Sequence, residues 1–229
     1  MWAKFPSRWV LTKPCPLKSI EWGKHRVQGT AAFVLLMAIA IKLNQSHMGS
    51  AAVRTTRVAV TYSEFEDLTG FSRATISGAL ELLEGMNAIT SERVGRRRYY
   101  DLPQTAVMGD WCQLPQKHLI GGTASGVLRR LTTLPTSRRA CLNAMKLYVL
   151  LLAYRNRRIN IAAIGYDKIM ELTGMRRQDI PEASSLLVAH ELIRAQGETD
   201  DMQIEYRSKR YRVIGLEAVV GGMVASTAF

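Results

Sequence analysis

The apolar positions along the chain form two long blocks, each followed by an amphipathic stretch. The blocks cover residues 31–43 and 142–154, and each contains a single lysine among apolar residues. In the stretch after the first block, apolar residues recur every three or four positions. These recurring residues are Ile76, Ala79, Leu80 and Leu83. The pattern predicts helices of two kinds: buried on all sides in the blocks, and buried on one face in the stretches.

The second amphipathic stretch repeats the first at an offset of 104 residues. Residues 60–89 and 164–193 align without a gap, and ten of the thirty positions are identical. The identical pairs are Tyr62/Tyr166, Leu68/Leu172, Thr69/Thr173, Gly70/Gly174, Arg73/Arg177, Ile76/Ile180, Ala79/Ala183, Leu82/Leu186, Leu83/Leu187 and Ile89/Ile193. Most of them fall where a helical pattern buries side chains. The chain therefore carries two copies of one structural unit, and this repeat predicts an architecture of two similar halves.

Each copy predicts two short helices joined by a glycine turn. Gly70 and Gly174 suit the left-handed conformation that ends a helix. We expect Ser63 and Asp167 to cap the helices that lead to these glycines, and Ser72 to cap the helix that follows Gly70. Helix, short turn, helix is the helix-turn-helix pattern.

A basic, aromatic segment follows each helix pair. It covers residues 89–102 in the first copy and residues 193–216 in the second, where the tip is longer and acidic. Both segments predict β-hairpins. Because neighbouring residues of a strand point to opposite faces, one of Tyr99 and Tyr100 is expected in the core and the other on the surface.

The stretch TYSEFEDLTGFSRATISGALELLEGMNAI, residues 61–89, resembles the winged helix-turn-helix domains of bacterial DNA-binding proteins. The whole chain resembles tandem winged-helix proteins of plasmids and phages, replication initiators among them. The resemblance implies a mainly α fold with small β-hairpins (α+β), built as two tandem winged-helix domains. These would be residues 1–104, the first copy, and residues 105–229, the second copy, with a basic connector at about 121–140.

The same resemblance implies sequence-specific binding of double-stranded DNA. Replication initiation for a plasmid or phage is the expected role, and transcriptional repression of a mobile element is the alternative. A non-enzymatic adaptor that binds a protein in a nucleoprotein complex is an alternative of another class.

In the first copy, a helix face and a hairpin tip offer donors to DNA. The expected DNA contacts are Arg73, Thr75, Ser77, Arg96, Arg97 and Arg98. The helix residues suit the major groove, where small Ala74 and Gly78 would permit close approach. The arginines at the tip suit phosphates or a narrow minor groove. The alternatives are a solvated helix face and a charged edge that prevents aggregation.

In the second copy the corresponding residues are less uniform. The expected DNA contacts are Arg176, Arg177, Gln178, Arg207, Lys209, Arg210 and Arg212. Pro181 is tolerated only in a first turn, so we expect this helix to begin with Asp179 as cap and Glu182 completing a capping box. These two carboxylates would repel phosphate, so the second copy either reads DNA less closely or faces a protein partner. The connector arginines would line a duplex or remain solvated; they are Arg129, Arg130, Arg138 and Arg139.

The composition favours a polyanionic partner. The 229 residues carry a net charge of +12, made up of +5 in residues 1–115 and +7 in residues 116–229. DNA, RNA or an anionic membrane surface would match this charge. The apolar run Ala31–Ile41 is too short to cross a bilayer, so we expect no membrane partner and a cytoplasmic protein.

Candidate catalytic and metal chemistry is sparse. The three cysteines are widely spaced and odd in number, which is typical of a reducing compartment. Cys15 with His25 and Cys112 with His118 have no regular metal-site spacing. No Walker A, HExxH or paired CxxC motif occurs in the sequence. We therefore expect no enzyme, cofactor, metal or small-molecule substrate.

Overall fold

The chain runs through a similar succession of elements twice. The computed structural model describes residues 1–47, 55–121, 126–196, 208–220 and 223–224. The elements of the first copy are β1 (Ala3–Pro6), α1 (Arg8–Leu11), a 3-10 turn (Pro16–Ser19), α2 (Trp22–His47), β2 (Arg57–Ala59), α3 (Tyr62–Thr69), α4 (Arg73–Gly85), β3 (Thr90–Val94) and β4 (Arg97–Asp101). After a 3-10 turn (Pro103–Thr105) come β5 (Trp111–Leu114), α5 (Gln116–Ile120), α6 (Arg129–Thr132), α7 (Arg139–Tyr154), β6 (Ala162–Ile164), α8 (Tyr166–Thr173), α9 (Asp179–Ala189), β7 (Ile193–Gln196), β8 (Lys209–Val213), β9 (Val219–Val220) and β10 (Met223–Val224). The result is a mixed α and β fold in which helix predominates and the strands form small antiparallel sheets.

Each copy contains a three-stranded sheet built around the second strand of its hairpin. In the first copy β4 lies between β2 and β3, and in the second copy β8 lies between β6 and β7. The hairpins are therefore confirmed as β3–β4 and β7–β8. The sequence pattern does not predict β2 and β6, because a strand of three residues is too short to show alternation.

The helix pair of the first copy begins and ends with side-chain and backbone caps. The Glu64 amide donates to the Thr61 side chain, and the Thr61 amide donates to the Glu64 carboxylate, 2.8 Å away. This is a capping box, so the prediction of Ser63 as the cap is wrong: Ser63 lies inside the first turn. Gly70 ends α3 with a φ of 70°, and Ser72 caps α4, both as predicted.

The helix pair of the second copy differs at its starting points. α8 begins without a side-chain cap, and Asp167, predicted as that cap, lies within the first turn. Gly174 ends α8 with a φ of 68°, as predicted. Pro181 does lie in the first turn of α9, but Gln178 occupies the cap position, and Asp179 is the first helical residue. The predicted capping box is therefore wrong.

Helix α2 is longer than the apolar block that predicts it. Arg26, with a φ of 46° and a ψ of −132°, interrupts it near its start, and residues 29–41 are buried. By length and composition, residues 22–46 could cross a membrane, but 78% of the most apolar window is buried inside the fold. Its packing against α4, α7 and β1 accounts for a helix that is apolar on all sides.

The two copies share one hydrophobic core. β1 and β5 pair antiparallel along four residues each, which joins the first strands of the two copies. α2 packs against α7, and the helices approach closely at Gly29, where an added Cβ would lie 3.3 Å from Leu142 Cδ1. The Leu128 amide of the second copy also donates to the Leu68 carbonyl oxygen of the first, 2.9 Å away.

Candidate nucleic-acid interface

Arg73 lies at the start of α4, where it also bonds to α3. Its Nε donates to the Glu66 carboxylate at 3.1 Å, and its Nη2 donates to the Ser63 hydroxyl at 3.2 Å. The side chain remains 67% exposed. Arg73 is therefore accessible to a phosphate or base, but its guanidinium already joins the two helices of the pair.

Arg177 repeats this contact in the second copy. Its Nη1 lies 3.0 Å from the Asp167 carboxylate. Asp167 stands at the position that Ser63 occupies in the first copy, at the same offset of 104 residues. The guanidinium also lies over the Tyr166 ring, 5.4 Å from its centroid. Packing of the two helices thus accounts for the arginine that the copies share.

The other predicted contacts on α4 also bond within the chain. Thr75 is half-buried, and its hydroxyl lies 3.1 Å from that of Ser72. The Ser77 hydroxyl donates to the carboxylate of exposed Glu81, 3.3 Å away. Glu81 therefore places an acidic group beside the donors, and the α4 face offers DNA fewer unpaired groups than the sequence indicates.

Gly78 lies against the end of the Gln28 side chain of α2. An added Cβ would lie 2.4 Å from Gln28 Nε2, so the glycine leaves room for the Gln28 side chain of α2. That side chain occupies the space through which DNA was expected to approach. Ala74, by contrast, is exposed beside Arg73.

The tip of the β3–β4 hairpin carries the most accessible cations of the predicted set. Val94 pairs with Arg97, so Gly95 and Arg96 form the turn, and Gly95 adopts a φ of 60°. A positive φ at the first of two turn residues suits glycine and matches the strand twist. Arg96 and Arg97 are exposed, and their side chains form no hydrogen bond or ion pair within the described residues.

Arg98 is directed away from the tip and into the molecule. Its Nη2 donates to the Glu84 carboxylate of α4 at 2.9 Å, and its Nε donates to the Ser91 hydroxyl at 2.9 Å. The Ser91 hydroxyl also donates to Glu84. The guanidinium lies 5.8 Å from the centroid of the Tyr100 ring. Arg98 thus links the hairpin to α4.

The outward face of the first sheet is largely neutralised. Arg57 on β2 donates to Glu92 on β3 at 2.7 Å, and its guanidinium lies 4.6 Å from the centroid of the Tyr99 ring. Tyr100 is fully buried, and burial raises its pKa to about 12. Tyr100 is therefore the core residue of the pair, as expected, whereas Tyr99 is half-buried with Arg57 over its ring.

At the start of α9, cations and carboxylates pair with each other. Arg176 makes two bonds to the Asp179 carboxylate, at 3.0 and 3.1 Å, and Arg139 makes a third at 3.1 Å. The hydrogen bonds from Arg176 lower the pKa of Asp179 despite its burial. This carboxylate is therefore withdrawn and neutralised, and the repulsion expected from it is reduced. Gln178 is exposed at the cap position.

None of the residues of α9 is a cation, and Arg176 and Arg177 lie just before its start. Glu182, Ser185 and Val188 are exposed along it, and Val188 is 43% exposed. A helix with this surface offers phosphate little attraction.

The predicted contacts on β8 lie on different faces of the sheet. Lys209 lies on the helix side, with its Nζ 5.0 Å from the centroid of the Tyr166 ring. Arg210 lies on the outward side and is half-buried. Arg207 lies outside the described residues.

The connector arginines divide into paired and exposed residues. Arg130 forms an ion pair with Glu191, and Arg139 pairs with Asp179 as described above. Arg129 and Arg138 are exposed. Arg130 and Arg139 therefore form ion pairs within the second copy.

One accessible cation on the second sheet, Arg194, was not among the predicted contacts, whereas Arg212 was. Arg194 on β7 and Arg212 on β8 are exposed and directly opposite each other. Alternation along KRYRV, residues 209–213, is the signal that could have identified the outward position of Arg212.

Comparisons with protein-family models, curated proteins and solved structures return no match. Within the described residues, no group of three or more His, Cys, Asp and Glu side chains is arranged to hold a metal ion. The three cysteines are buried free thiols, and burial raises the pKa of Cys112 and of Cys141 to about 12.

Proposed function

We propose that the chain is a tandem winged-helix protein that binds double-stranded DNA and catalyses no reaction. In each copy the order helix, strand, helix, helix, hairpin, with the last strand central in the sheet, supports a winged-helix assignment. The helix pair and the hairpin are the elements that such domains direct to DNA. The net charge of +12 supports a polyanionic partner.

The exposure of Arg96 and Arg97 at the β3–β4 tip is the observation that carries this proposal. Neither guanidinium is neutralised within the described part of the chain, whereas Arg98 and Arg57 are paired with carboxylates. Exposed arginines on a narrow hairpin can reach phosphates or the minor groove. Reading of bases by α4 would additionally require Arg73 to exchange Glu66 for DNA.

The first test is the salt dependence of duplex binding. The double variant Arg96→Gln, Arg97→Gln should bind all sequences more weakly, because each lost phosphate contact lowers the slope of log affinity against log salt by about 0.9. Fluorescence anisotropy with a labelled duplex over a series of salt concentrations measures this slope.

The matched control is Lys117→Gln, Arg158→Gln, which removes the same charge from exposed positions outside the hairpins. It should keep the wild-type slope. If the tip variant and this control behave alike, the proposed binding mode is wrong.

The exposed face of α9 supports a second candidate function, an adaptor that binds a protein through the second copy. Glu182, Ser185 and Val188 form a surface without cations, which suits a protein better than phosphate. Selection from random duplexes separates the candidates. A bipartite enriched motif supports reading by both copies, a single half-site leaves α9 to a protein, and no enrichment favours the adaptor.

The selected motif also separates the two biological roles. A replication initiator should sustain a plasmid that carries the motif as its origin. A repressor should instead reduce transcription from a promoter that overlaps the motif. The tip variant should be defective in whichever assay the protein supports.

A further inference from the structure

The outward face of the second sheet is a cationic surface made of neighbouring arginines. Along β8, Tyr211 and Val213 are buried, so Arg210 and Arg212 lie on the opposite, outward side. Arg194 on β7 faces the same way, directly across from Arg212. The three positions form the arginine face: Arg194, Arg210 and Arg212.

The arginine face contains no carboxylate among the described strand residues. The other outward residues of its three strands are Ala163 and Gln196. The side chains of Arg194 and Arg212 form no hydrogen bond or ion pair within the part of the chain that the structure describes. Like charges directly opposite each other across two strands destabilise a sheet.

On the equivalent face of the first sheet, the arginine is paired with a carboxylate. There Arg57 pairs with Glu92 at 2.7 Å and lies over Tyr99, so its charge is satisfied within the sheet. The copies therefore divide their cations differently: the first presents them at the hairpin tip, and the second on the sheet. In the second copy the two arginines before α9, Arg176 and Arg177, are paired with Asp179 and Asp167.

We propose that the arginine face binds the phosphate backbone of a DNA duplex. This inference rests on the proposed function and assigns the second copy its contact: the sheet, not the helix. Positions two apart on a strand lie about 6.8 Å from each other, and neighbouring strands lie about 4.8 Å apart. The directly opposed guanidiniums of Arg194 and Arg212 can contact successive phosphates, and the bound polyanion relieves their mutual repulsion.

The double variant Arg194→Gln, Arg212→Gln tests the inference. Loss of two phosphate contacts should lower the slope of log affinity against log salt by about 1.8. Anisotropy titrations with a labelled duplex of mixed sequence measure it, and Lys117→Gln, Arg158→Gln controls for net charge. Thermal unfolding of the same variant should show equal or greater stability, because the opposed like charges are gone.

The double variant Arg194→Lys, Arg212→Lys keeps the charges and should retain a slope near that of the wild type. It thus separates loss of charge from a structural defect. If the glutamine variant binds with the wild-type slope while the tip variant Arg96→Gln, Arg97→Gln is impaired, the arginine face does not contact DNA and the proposed function stands. If neither variant differs from the charge control, both proposals fail.

Discussion

Lys146 of α7 is a buried cation that contacts the C-terminal end of another helix, α8. It is 4% exposed in α7, and its Nζ donates to the Thr173 carbonyl oxygen at the C-terminus of α8, 2.8 Å away. A cation suits the unpaired carbonyls of a helix end. Burial nevertheless lowers the pKa of Lys146 to about 8. The charged side chain thus satisfies a buried carbonyl group, but keeping it protonated in the interior costs free energy.

The pH dependence of stability should reveal that cost. Because the pKa is about 8 in the folded chain against an ordinary 10.5, the unfolded chain binds more protons between these values. The free energy of unfolding should therefore rise with pH across this window. Lys146→Met lacks the group, so the wild type should gain stability relative to this variant from pH 8 to pH 10.5.

Urea unfolding of both proteins at several pH values measures this difference. The other buried thiols and the buried tyrosines titrate in both proteins and cancel in the comparison, whereas Cys15 interacts electrostatically with Lys146, so the difference reports these two groups together. Exposed Lys117→Met serves as the control, and its difference from the wild type should stay constant. A constant difference for Lys146→Met as well would contradict a depressed pKa.

At the scale of elements, sequence patterns correctly predicted the features that depend on neighbouring residues alone. Both glycine turns, the cap at Ser72 and the buried face of α4 follow from residue type and spacing, and all are present. The caps at Ser63 and Asp167 are wrong because helix starts depend on which neighbour reaches the first amides. The role of Gly78 depends on Gln28, fifty residues earlier, and no local pattern contains that contact.

The hairpin of the first copy shows how position in a strand divides similar residues. Arg97 and Arg98 are adjacent in sequence, but Arg97 is exposed, and Arg98 bonds to Glu84 and Ser91. Arg98→Gln should destabilise the protein by about 1 kcal/mol, because it removes charge-assisted bonds that are partly shielded from water. Arg97→Gln should leave stability unchanged.

Hydrogen exchange of the β3 and β4 amides distinguishes these variants. Faster exchange in Arg98→Gln alone would show that Glu84 holds the hairpin on α4. Equal exchange in both variants would mean that the sheet is held without this link.

At the scale of the whole molecule, the copies are joined through equivalent elements. β1 pairs with β5, and α2 packs against α7, so the first strand and the long apolar helix of each copy meet their counterparts. This arrangement explains why both long helices are apolar on all sides: each faces its own copy and the other. The duplication thus supplies a shared core, which the repeat in the sequence does not by itself reveal.

Gly29 lies where α2 closely approaches Ile20 and Leu142 of α7. A Cβ there would lie 2.9 Å from Ile20 Cγ2 and 3.3 Å from Leu142 Cδ1, whereas a Cβ at Gly23 of the same helix would meet nothing within 4 Å. Overpacking costs about 1–3 kcal/mol, and alanine in place of a helical glycine returns at most about 1 kcal/mol. Gly29→Ala should therefore be less stable than the wild type, and Gly23→Ala equally or more stable. Urea unfolding measures both, and equal stability of the two variants would contradict close packing of α2 on α7.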